Sequence, residues 1–456
     1  MPTTTRLSAL DASFLEIESP TAHMHVGWVA TFLPPADGAR PSFEDLRDHI
    51  EQRLRRAPRY RQRLAGVPLG LSPPEWVDDE RFEIANHVIH SPSRDLAQAA
   101  DAVFSIPLDR DRPLWELWVA DDLLDGRIGV IGKAHHCLVD GIAAVELAAL
   151  MLDPQPDPPA PGPDGWRPHR APGALGRLAG GVRELVSRQA ATARIPARAV
   201  RSPRSLFGFA DEARQAAAAL AGSLDPAPPA PLLNEPISSL RRLALLHRPV
   251  EDLLAIKRAF GVTLNDVALA ACAGGVRDFM RAHDLRPERL KTMVPVNVRD
   301  HGAEAELGNR ISFIFIDLPC HLADPAERVR AVHAATGDRK ARGRPHGADT
   351  VLRALEAAPR PVQQLAAHAA ASPRAYNLVI SNIPGPREPL WMRGCRLERA
   401  HPVIPLSDRH ALSIGLTTVG DGANFGIYAD RRRIPDADVL ANRIDLAVDE
   451  LLALSA

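Results

Sequence analysis

Twenty residues at the end of the first third of the chain include eight prolines (PQPDPPAPGPDGWRPHRAPG, residues 154–173). Proline lacks a backbone N–H and fixes its own φ, so this segment cannot form a regular helix or a central strand. A second proline cluster lies at residues 225–231. We therefore predict an N-terminal domain over residues 1–153, a proline-rich and helical linker over 154–231, and a C-terminal domain over 232–456.

The chain has 456 residues, of which 45% are hydrophobic, enough for two or three domains and a sizeable core. A formal net charge of -1 provides no overall field for nucleic acid, so we expect no nucleic-acid partner. The sequence shows neither a secretory signal nor an apolar run of about 18 residues, and we expect a cytoplasmic protein. The cysteines are scattered and predict reduced thiols rather than a disulfide framework: Cys137, Cys272, Cys320 and Cys395.

Both halves mix helix and strand patterns. In the first half, Ser42 is a plausible N-cap for a helix at residues 43–56, residues 128–134 (IGVIGKA) predict a buried strand, and residues 142–152 predict a helix. In the second half we predict strands at residues 242–247, 311–318, 377–380, 411–419 and 424–428, and helices at 250–260, 265–283 and 436–454. The predicted fold class is therefore α/β.

One segment, HHCLVDG (residues 135–141), lies between the predicted strand at 128–134 and the predicted helix at 142–152. Histidine has a pKa near 6.5, which suits a general base at neutral pH. Adjacent residues at a strand end point in opposite directions, so only one of His135 and His136 can readily face a given cleft. Asp140 could orient an imidazole or hold the turn, and Gly141 permits a sharp bend. The residues alone predict a turn that carries a base and leave open which histidine acts.

HHCLVDG resembles the HHxxxDG signature of acyl-CoA-dependent acyltransferases with the chloramphenicol acetyltransferase-like fold. Further blocks follow in order and narrow the resemblance to the bacterial wax ester synthase/acyl-CoA:diacylglycerol acyltransferase family. They are LSALDASFLEIESPTAHMHVG (residues 7–27), PLDRDRPLWELWV (107–119), LNDVA (264–268), VPVNVR (294–299), LGNR (307–310) and SNIPGP (381–386). The resemblance runs nearly end to end.

This resemblance implies two chloramphenicol acetyltransferase-like domains with an active-site tunnel at their interface. It implies that His136 is the general base and that His135, Asp140 and Gly141 complete the catalytic segment, mainly in structural roles. A long-chain acyl group would pass directly from acyl-CoA to diacylglycerol or to a long-chain alcohol. Acyl-CoA would be a co-substrate, and neither a cofactor nor a metal is expected.

The candidate substrate-binding residues carry amides, a carboxylate and a hydroxyl: Asn265, Asp266, Asn377, Ser381 and Asn382. Asn265 and Asp266 match an ND motif of the family, and their place at a helix start fits polarising the thioester carbonyl or shaping the pocket. The simpler alternatives are helix capping after Thr263 and turn formation before residues 384–386 (PGP).

Other interpretations of single features remain open. An arginine-rich region at 177–204 could contact an anionic membrane or lipid-droplet surface, or could be a helical connector packed across the two domains. A basic run at 339–344 could meet the phosphates of CoA or form a solvated loop. A nucleophilic role for Cys137 and a metal site built from the HHCLVDG segment are both disfavoured by geometry and spacing.

Two positions depart from the family pattern. His23 stands where proline is common, and residues 416–422 (LTTVGDG) lack a Ser-Tyr pair that many relatives carry. The missing Ser-Tyr pair concerns the predicted acceptor pocket and therefore the preferred alcohol. The alternative functions are an acyltransferase of related fold that acts on a small-molecule acceptor, and a non-catalytic lipid-surface protein.

Overall fold

The computed structural model describes residues 5–35, 40–70, 72–138, 151–159, 162, 164–183, 226–297, 311–342 and 360–455. Asp140, Gly141 and the predicted helix at 142–152, except for its last two residues, lie outside the described residues. The same holds for the LGNR block and for most of the arginine-rich region.

The strands in chain order are β1 (Thr5–Arg6), β2 (His25–Leu33), β3 (Gln62–Ala65), β4 (Glu75–Asp78), β5 (Val88–His90), β6 (Trp115–Ala120), β7 (Ile128–His135), β8 (Arg241–Pro249), β9 (Leu290–Asn297), β10 (Ile311–Leu318), β11 (Leu378–Ile383), β12 (Trp391–Met392), β13 (Cys395–Val403), β14 (Leu412–Val419) and β15 (Gly422–Asp430). The helices are α1 (Ala9–Ile17), α2 (Phe43–Arg53), α3 (Leu96–Ser105), α4 (Pro231–Asn234), α5 (Val250–Phe260), α6 (Leu264–Ala282), α7 (Pro325–Arg342), α8 (Arg360–Ala370) and α9 (Ala437–Ala453).

The strands form two six-stranded sheets, one in each half, and β1, β4 and β3 form a small third sheet. The first sheet has the order β12-β13-β2-β7-β6-β5, and the second has the order β10-β9-β11-β14-β15-β8. The α/β class is therefore confirmed in both halves. The predicted helices and strands of the second half are all present, and β11 extends three residues beyond its predicted end, to Ile383.

Local sequence explains several element boundaries. Ser42 caps α2 in a capping box with Asp45, as the N-cap pattern predicted. The α5 helix is capped at its C-terminal end by Gly261, which has φ +65°. This left-handed conformation is unfavourable for residues with a Cβ atom and costs glycine little free energy. The β14–β15 hairpin turns at Gly420, where φ is +56°.

Two strands of the second half complete the sheet of the first half. β13 pairs antiparallel with β2 from Val403 opposite Gly27 to Arg396 opposite Leu33, and β12 pairs with β13. The pairing covers an edge of β2 that would otherwise expose a row of unpaired N–H and C=O groups. The predicted division of the chain at residues 153 and 232 does not include this exchange.

The two halves meet closely where β13 crosses the second sheet. A Cβ atom on Gly426 would lie 2.0 Å from the carbonyl oxygen of Pro402, and one on Gly415 would lie 2.8 Å from Pro402 Cγ. His401 Nδ1 is 3.0 Å from the carbonyl oxygen of Phe425. Only glycine permits this approach at positions 415 and 426, so the sequence of β14 and β15 fixes how the second sheet packs against β13.

Helix α3 makes a second contact between the halves. Asp101 on α3 accepts a hydrogen bond of 2.7 Å from the N–H of Leu243 on β8, and the ring centroids of Phe104 and Tyr428 are 5.6 Å apart. Both aromatic residues belong to the largest buried hydrophobic cluster, which therefore extends across the two halves.

No single helix in the described ranges has both the length and the hydropathy needed to cross a membrane. The α5 and α6 helices have that length and hydropathy only when they are taken together, and they are bent by 102° with respect to each other.

Candidate active site

His136 lies directly after β7, at the end of the first sheet. Its N–H donates a hydrogen bond of 3.0 Å to the carbonyl oxygen of Met24, which precedes β2. Its ring is stacked on Phe14 of α1, with 3.8 Å between ring centroids and 19° between ring planes. The residue is 9% exposed, and its Nδ1 has no hydrogen-bond partner among the described residues. The strand and the Phe14 ring therefore hold the imidazole in place.

Burial controls the protonation of His136. Desolvation disfavours the imidazolium form and lowers the pKa of His136 from 6.5 to about 4. The imidazole is therefore neutral at pH 7 and has a lone pair that can take a proton. This is the protonation state that a general base requires.

His135 is engaged in a different way. Its Nδ1 accepts a hydrogen bond of 3.1 Å from the N–H of Cys137, which places the ring proton of the neutral form on Nε2. Nε2 lies 3.6 Å from Oε2 of Glu18, and Glu18 also contacts Arg110. Burial, with a smaller contribution from the charge of Arg110, lowers the pKa of His135 to about 3. These contacts stabilise the turn that carries His136.

The segment His23-Met24-His25 adds a part of the site that the sequence analysis missed. His25 is the cross-strand partner of His135 and is 2% exposed, and both of its ring nitrogens lack hydrogen-bond partners within the described ranges. Burial lowers the pKa of His25 well below 6.5. Met24, whose carbonyl holds His136, has φ +50°, which is uncommon for a residue other than glycine. Two histidines at the start of β2 were the available signal.

Cys137 is buried and cannot readily ionise. It is 3% exposed, and burial raises the pKa of its thiol. The thiolate is the nucleophilic form of cysteine, so this environment disfavours covalent catalysis by Cys137. In the part of the chain that the structure describes, no group of three or more histidine, cysteine, aspartate or glutamate side chains is placed to hold a metal ion.

Asp266 holds the start of α6. Its carboxylate accepts hydrogen bonds from the N–H of Thr263 (3.0 Å), from Nδ1 of His333 (2.9 Å) and from the hydroxyl of Thr336 (2.8 Å). Burial alone would raise the pKa of Asp266, but these hydrogen bonds outweigh it and lower the pKa. The capping alternative therefore describes Asp266 in this structure. The neighbouring Asn265 is half-buried at the same helix start.

Asn377 anchors the beginning of β11. Its Oδ1 accepts a hydrogen bond from the N–H of Lys291 (2.7 Å), and its Nδ2 donates to the carbonyl of Pro228 and to Oδ1 of Asn234 (2.8 Å each). With both ends of the amide occupied, Asn377 has little capacity left for a ligand. Ser381 is buried and Asn382 is half-buried, and both lie on β11 beside β14.

The described hydrogen bonds and ring contacts bring His135, His136 and residues 23–25 together in the first half. They place Asn265 and Asp266 at the start of α6, Asn377 directly before β11, and Ser381 and Asn382 on β11, without a direct contact to His136. The sequence could identify each group from its motif. It could identify Thr263 as the capping partner of Asp266. It could not identify the other partners of Asp266 or those of Asn377, because these lie on other elements up to 149 residues away.

The fold of the two α/β halves matches solved structures over nearly the whole chain. Trichothecene 15-O-acetyltransferase from Fusarium sporotrichioides superposes with a TM-score of 0.62 at 13% identity, covering 99% of this chain and 95% of that one. The first condensation domain of the calcium-dependent antibiotic synthetase gives a TM-score of 0.60 at 16% identity, with coverage of 100% and 97%. At these identities the likeness shows the fold.

Closer relatives narrow the class to one family. Residues 7–268 match the wax ester synthase/diacylglycerol acyltransferase catalytic domain, and residues 307–452 match the C-terminal domain of the same family. A probable diacylglycerol O-acyltransferase of Mycobacterium tuberculosis is 32% identical over 466 residues, covering 98% of this chain and 96% of the relative. The wax ester synthase/diacylglycerol acyltransferase of Marinobacter aquaeolei VT8 has a TM-score of 0.70 at 27% identity, covering 99% and 100% of the two chains. The chain belongs to the wax ester synthase/diacylglycerol acyltransferase family.

Proposed function

We propose that this protein transfers a long-chain acyl group from acyl-CoA to the hydroxyl of diacylglycerol or of a long-chain alcohol. The products are triacylglycerol or wax ester and free CoA. The observation that carries the proposal is the buried, neutral imidazole of His136 at the end of β7, in a chain that matches an acyltransferase family over both halves. Relatives described as a diacylglycerol O-acyltransferase and as a wax ester synthase supply the two classes of acceptor.

The proposed reaction needs only one proton carrier. The His136 imidazole takes the proton of the acceptor hydroxyl as the oxygen attacks the thioester carbonyl carbon. The new C–O bond gives a tetrahedral intermediate, which collapses by breaking the C–S bond. The imidazolium then returns its proton to the departing thiolate. His135 and Glu18 position the turn and do not exchange a proton with substrate.

A donor for the oxyanion completes the proposal. Such a donor has to lie about 3 Å from the oxygen that becomes negative. We assign this role to the Asn265 amide, whose side chain is half-buried at the start of α6. Loss of the donor in Asn265→Ala would lower kcat with little change in the KM for acyl-CoA. Unchanged turnover would remove Asn265 from the mechanism. The tunnel between the halves and the substrate-binding roles of Ser381 and Asn382 remain predictions.

An acceptor panel tests the proposed reaction. Purified protein would be incubated with labelled palmitoyl-CoA and, separately, with dioleoylglycerol, hexadecanol and small polar alcohols or amines. We expect labelled triacylglycerol or wax ester together with stoichiometric CoA. Product formed only from small polar acceptors would support the alternative of a small-molecule acyltransferase. Absence of CoA release with every acceptor would support a non-catalytic lipid-surface protein.

Peripheral association with a membrane or lipid-droplet surface remains a prediction based on the arginine-rich region at 177–204, of which residues 177–183 are described. Flotation with anionic vesicles tests it. Replacement of these arginines by glutamine should reduce the bound fraction, and equal binding would contradict the prediction.

A further inference from the structure

Helix α1 contacts both the histidine turn of the first half and helix α8 of the second half. Phe14 of α1 is stacked on the imidazole of His136. Glu16 of α1 accepts a hydrogen bond of 2.8 Å from Nε2 of Gln364 on α8, and α8 packs against α1. The second half of the chain therefore touches the element that covers the base.

Helical spacing places these contacts on two faces of α1. Phe14 and Glu18 are four residues apart, so they lie on one face of a helix with 3.6 residues per turn. On this face Phe14 meets His136, and Oε2 of Glu18 lies 3.6 Å from Nε2 of His135. Glu16 is two residues from Phe14, about 200° around the helix axis. It therefore faces away from the histidine pair and toward α8.

The contact between Phe14 and His136 is a close stack. The two rings have 3.8 Å between their centroids and 19° between their planes, and Phe14 is itself 9% exposed. The main-chain hydrogen bond from His136 to Met24 fixes the backbone of the turn and leaves the side-chain torsions of His136 free. The Phe14 ring restricts those torsions and covers one face of the imidazole from water. The position of α1 therefore controls the orientation of the base.

We propose that Phe14 and Gln364 are positioning residues for the acyl transfer: α8 holds α1 through Gln364, and α1 holds the Phe14 ring on the base. The inference rests on the proposed function, since it concerns the residue that acts as the base in that reaction. Both residues act through His136 and exchange no proton with substrate. The base in the first half then has its productive orientation only while the second half is docked on α1.

A charge introduced on α8 tests the link without altering α1 or the histidine turn. Gln364→Glu places a second carboxylate next to that of Glu16, and like charges at this separation repel each other. We expect α1 to move away from α8 and the stack of Phe14 on His136 to loosen. Loss of an aromatic stack should lower kcat by about three- to tenfold, with little change in the KM for palmitoyl-CoA.

A rescue and a matched control accompany this variant. The double variant Glu16→Gln/Gln364→Glu exchanges donor and acceptor, which restores the hydrogen bond, and it should recover kcat to within about twofold of the unsubstituted protein. The control Leu365→Glu adds the same charge one residue away, at a side chain that is 73% exposed, and should leave kcat unchanged. An equal loss of kcat in Leu365→Glu, or no recovery in the double variant, would show that the contact with Glu16 does not position the base.

The pH profile separates positioning of the base from a general loss of stability. Burial, with a smaller contribution from His135, lowers the pKa of His136 to about 4. Loosening the stack hydrates the imidazole, so its pKa should rise toward 6.5 in Gln364→Glu and in Phe14→Leu. A base acts in its deprotonated form, so a pKa of about 6 would lower kcat/KM by about fourfold between pH 7.5 and 5.5. Reduced activity with an unmoved acid limb would assign these residues a structural role only.

Chemical modification tests the link independently of acyl transfer. Diethyl pyrocarbonate reacts with neutral, accessible imidazoles, and fragmentation in peptide mass spectrometry distinguishes His136 from His135. In proteins shown to be folded by circular dichroism, His136 should react at least about threefold faster in Gln364→Glu than in Leu365→Glu or the unsubstituted protein. Equal rates would overturn the link from α8 to the base even if acyl transfer is established. A failure of acyl transfer in the unsubstituted protein would overturn the proposed function without altering the modification rates.

Discussion

The His136 imidazole combines two properties that oppose each other in a general base. Burial against Phe14 keeps it neutral and fixed, which favours proton removal from a nearby hydroxyl. The same burial lowers its pKa to about 4 and makes it a weaker base in water. In a site that excludes bulk water, the substrate hydroxyl is desolvated together with the base, so position contributes more to the rate than basicity.

The pH dependence of the reaction follows from this pKa. A general base acts in its deprotonated form, so activity is lost as the pH falls through the pKa of the folded protein. With a pKa of about 4 for His136, kcat/KM should change by less than about twofold between pH 7.5 and 5.5. A base with the ordinary pKa of about 6.5 would lose about tenfold over the same interval. An acid limb with its midpoint near 6.5, in protein shown to be folded by circular dichroism, would contradict the burial of the base.

Sequence reasoning reached part of this residue-scale description. The apolar, β-rich run at residues 128–134 and the glycine after Asp140 were enough to predict a histidine turn after a strand. The roles of Met24 and His25 could not be predicted, because the pairing of His25 with His135 joins positions 110 residues apart. Local patterns carry no information about which strand lies beside β7.

At the scale of single elements, Asp266 of the ND motif matches a functional sequence pattern but has a structural role. Asp266 accepts hydrogen bonds from Thr263, His333 and Thr336, so it ties the start of α6 to α7. The sequence predicted the helix and its cap, since Thr263 and Asp266 have capping-box spacing. It did not predict α7 as the partner, because no helix was predicted at residues 325–342.

Asp266→Asn tests the structural role. The amide lacks the negative charge and has one acceptor oxygen, so one buried donor among the three is left without a partner. We expect a loss of about 1–3 kcal/mol in the free energy of unfolding, with an unchanged KM for acyl-CoA in the folded fraction. Urea denaturation and steady-state kinetics on the same preparation measure both quantities. Unchanged stability with a raised KM would instead assign Asp266 to substrate binding.

At the scale of the whole molecule, the exchange of β12 and β13 into the first sheet makes the two halves interdependent. The proline-rich segment predicted two domains, and it could not indicate that residues 391–403 return to the sheet of the first half. Strand partners at a sheet edge are chosen by tertiary packing, and the sequence of β13 (CRLERAHPV) has no alternating pattern that identifies its neighbour.

Gly426→Ala tests this interdependence. Its Cβ would lie 2.0 Å from the carbonyl oxygen of Pro402, so β13 or β15 has to shift. We expect a loss of at least about 2 kcal/mol in a single unfolding transition seen by circular dichroism and by tryptophan fluorescence. The matched control is Gly337→Ala on the exposed surface of α7, where nothing lies within 4 Å, and it should be neutral or stabilising by up to about 1 kcal/mol. Two separate transitions would show that the halves unfold independently. Equal stability of the two variants would show that the close contact at Gly426 does not hold the halves together.

The role of His136 is tested most directly by kinetics of His136→Ala beside the neighbouring control Cys137→Ala, with palmitoyl-CoA and an acceptor found active in the panel. We predict that His136→Ala lowers kcat by about 10²–10⁴-fold while the affinity for palmitoyl-CoA and the unfolding midpoint stay unchanged. Cys137→Ala should retain turnover close to that of the unsubstituted protein. Turnover by folded His136→Ala within tenfold of the unsubstituted protein would contradict the assignment of this imidazole as the base.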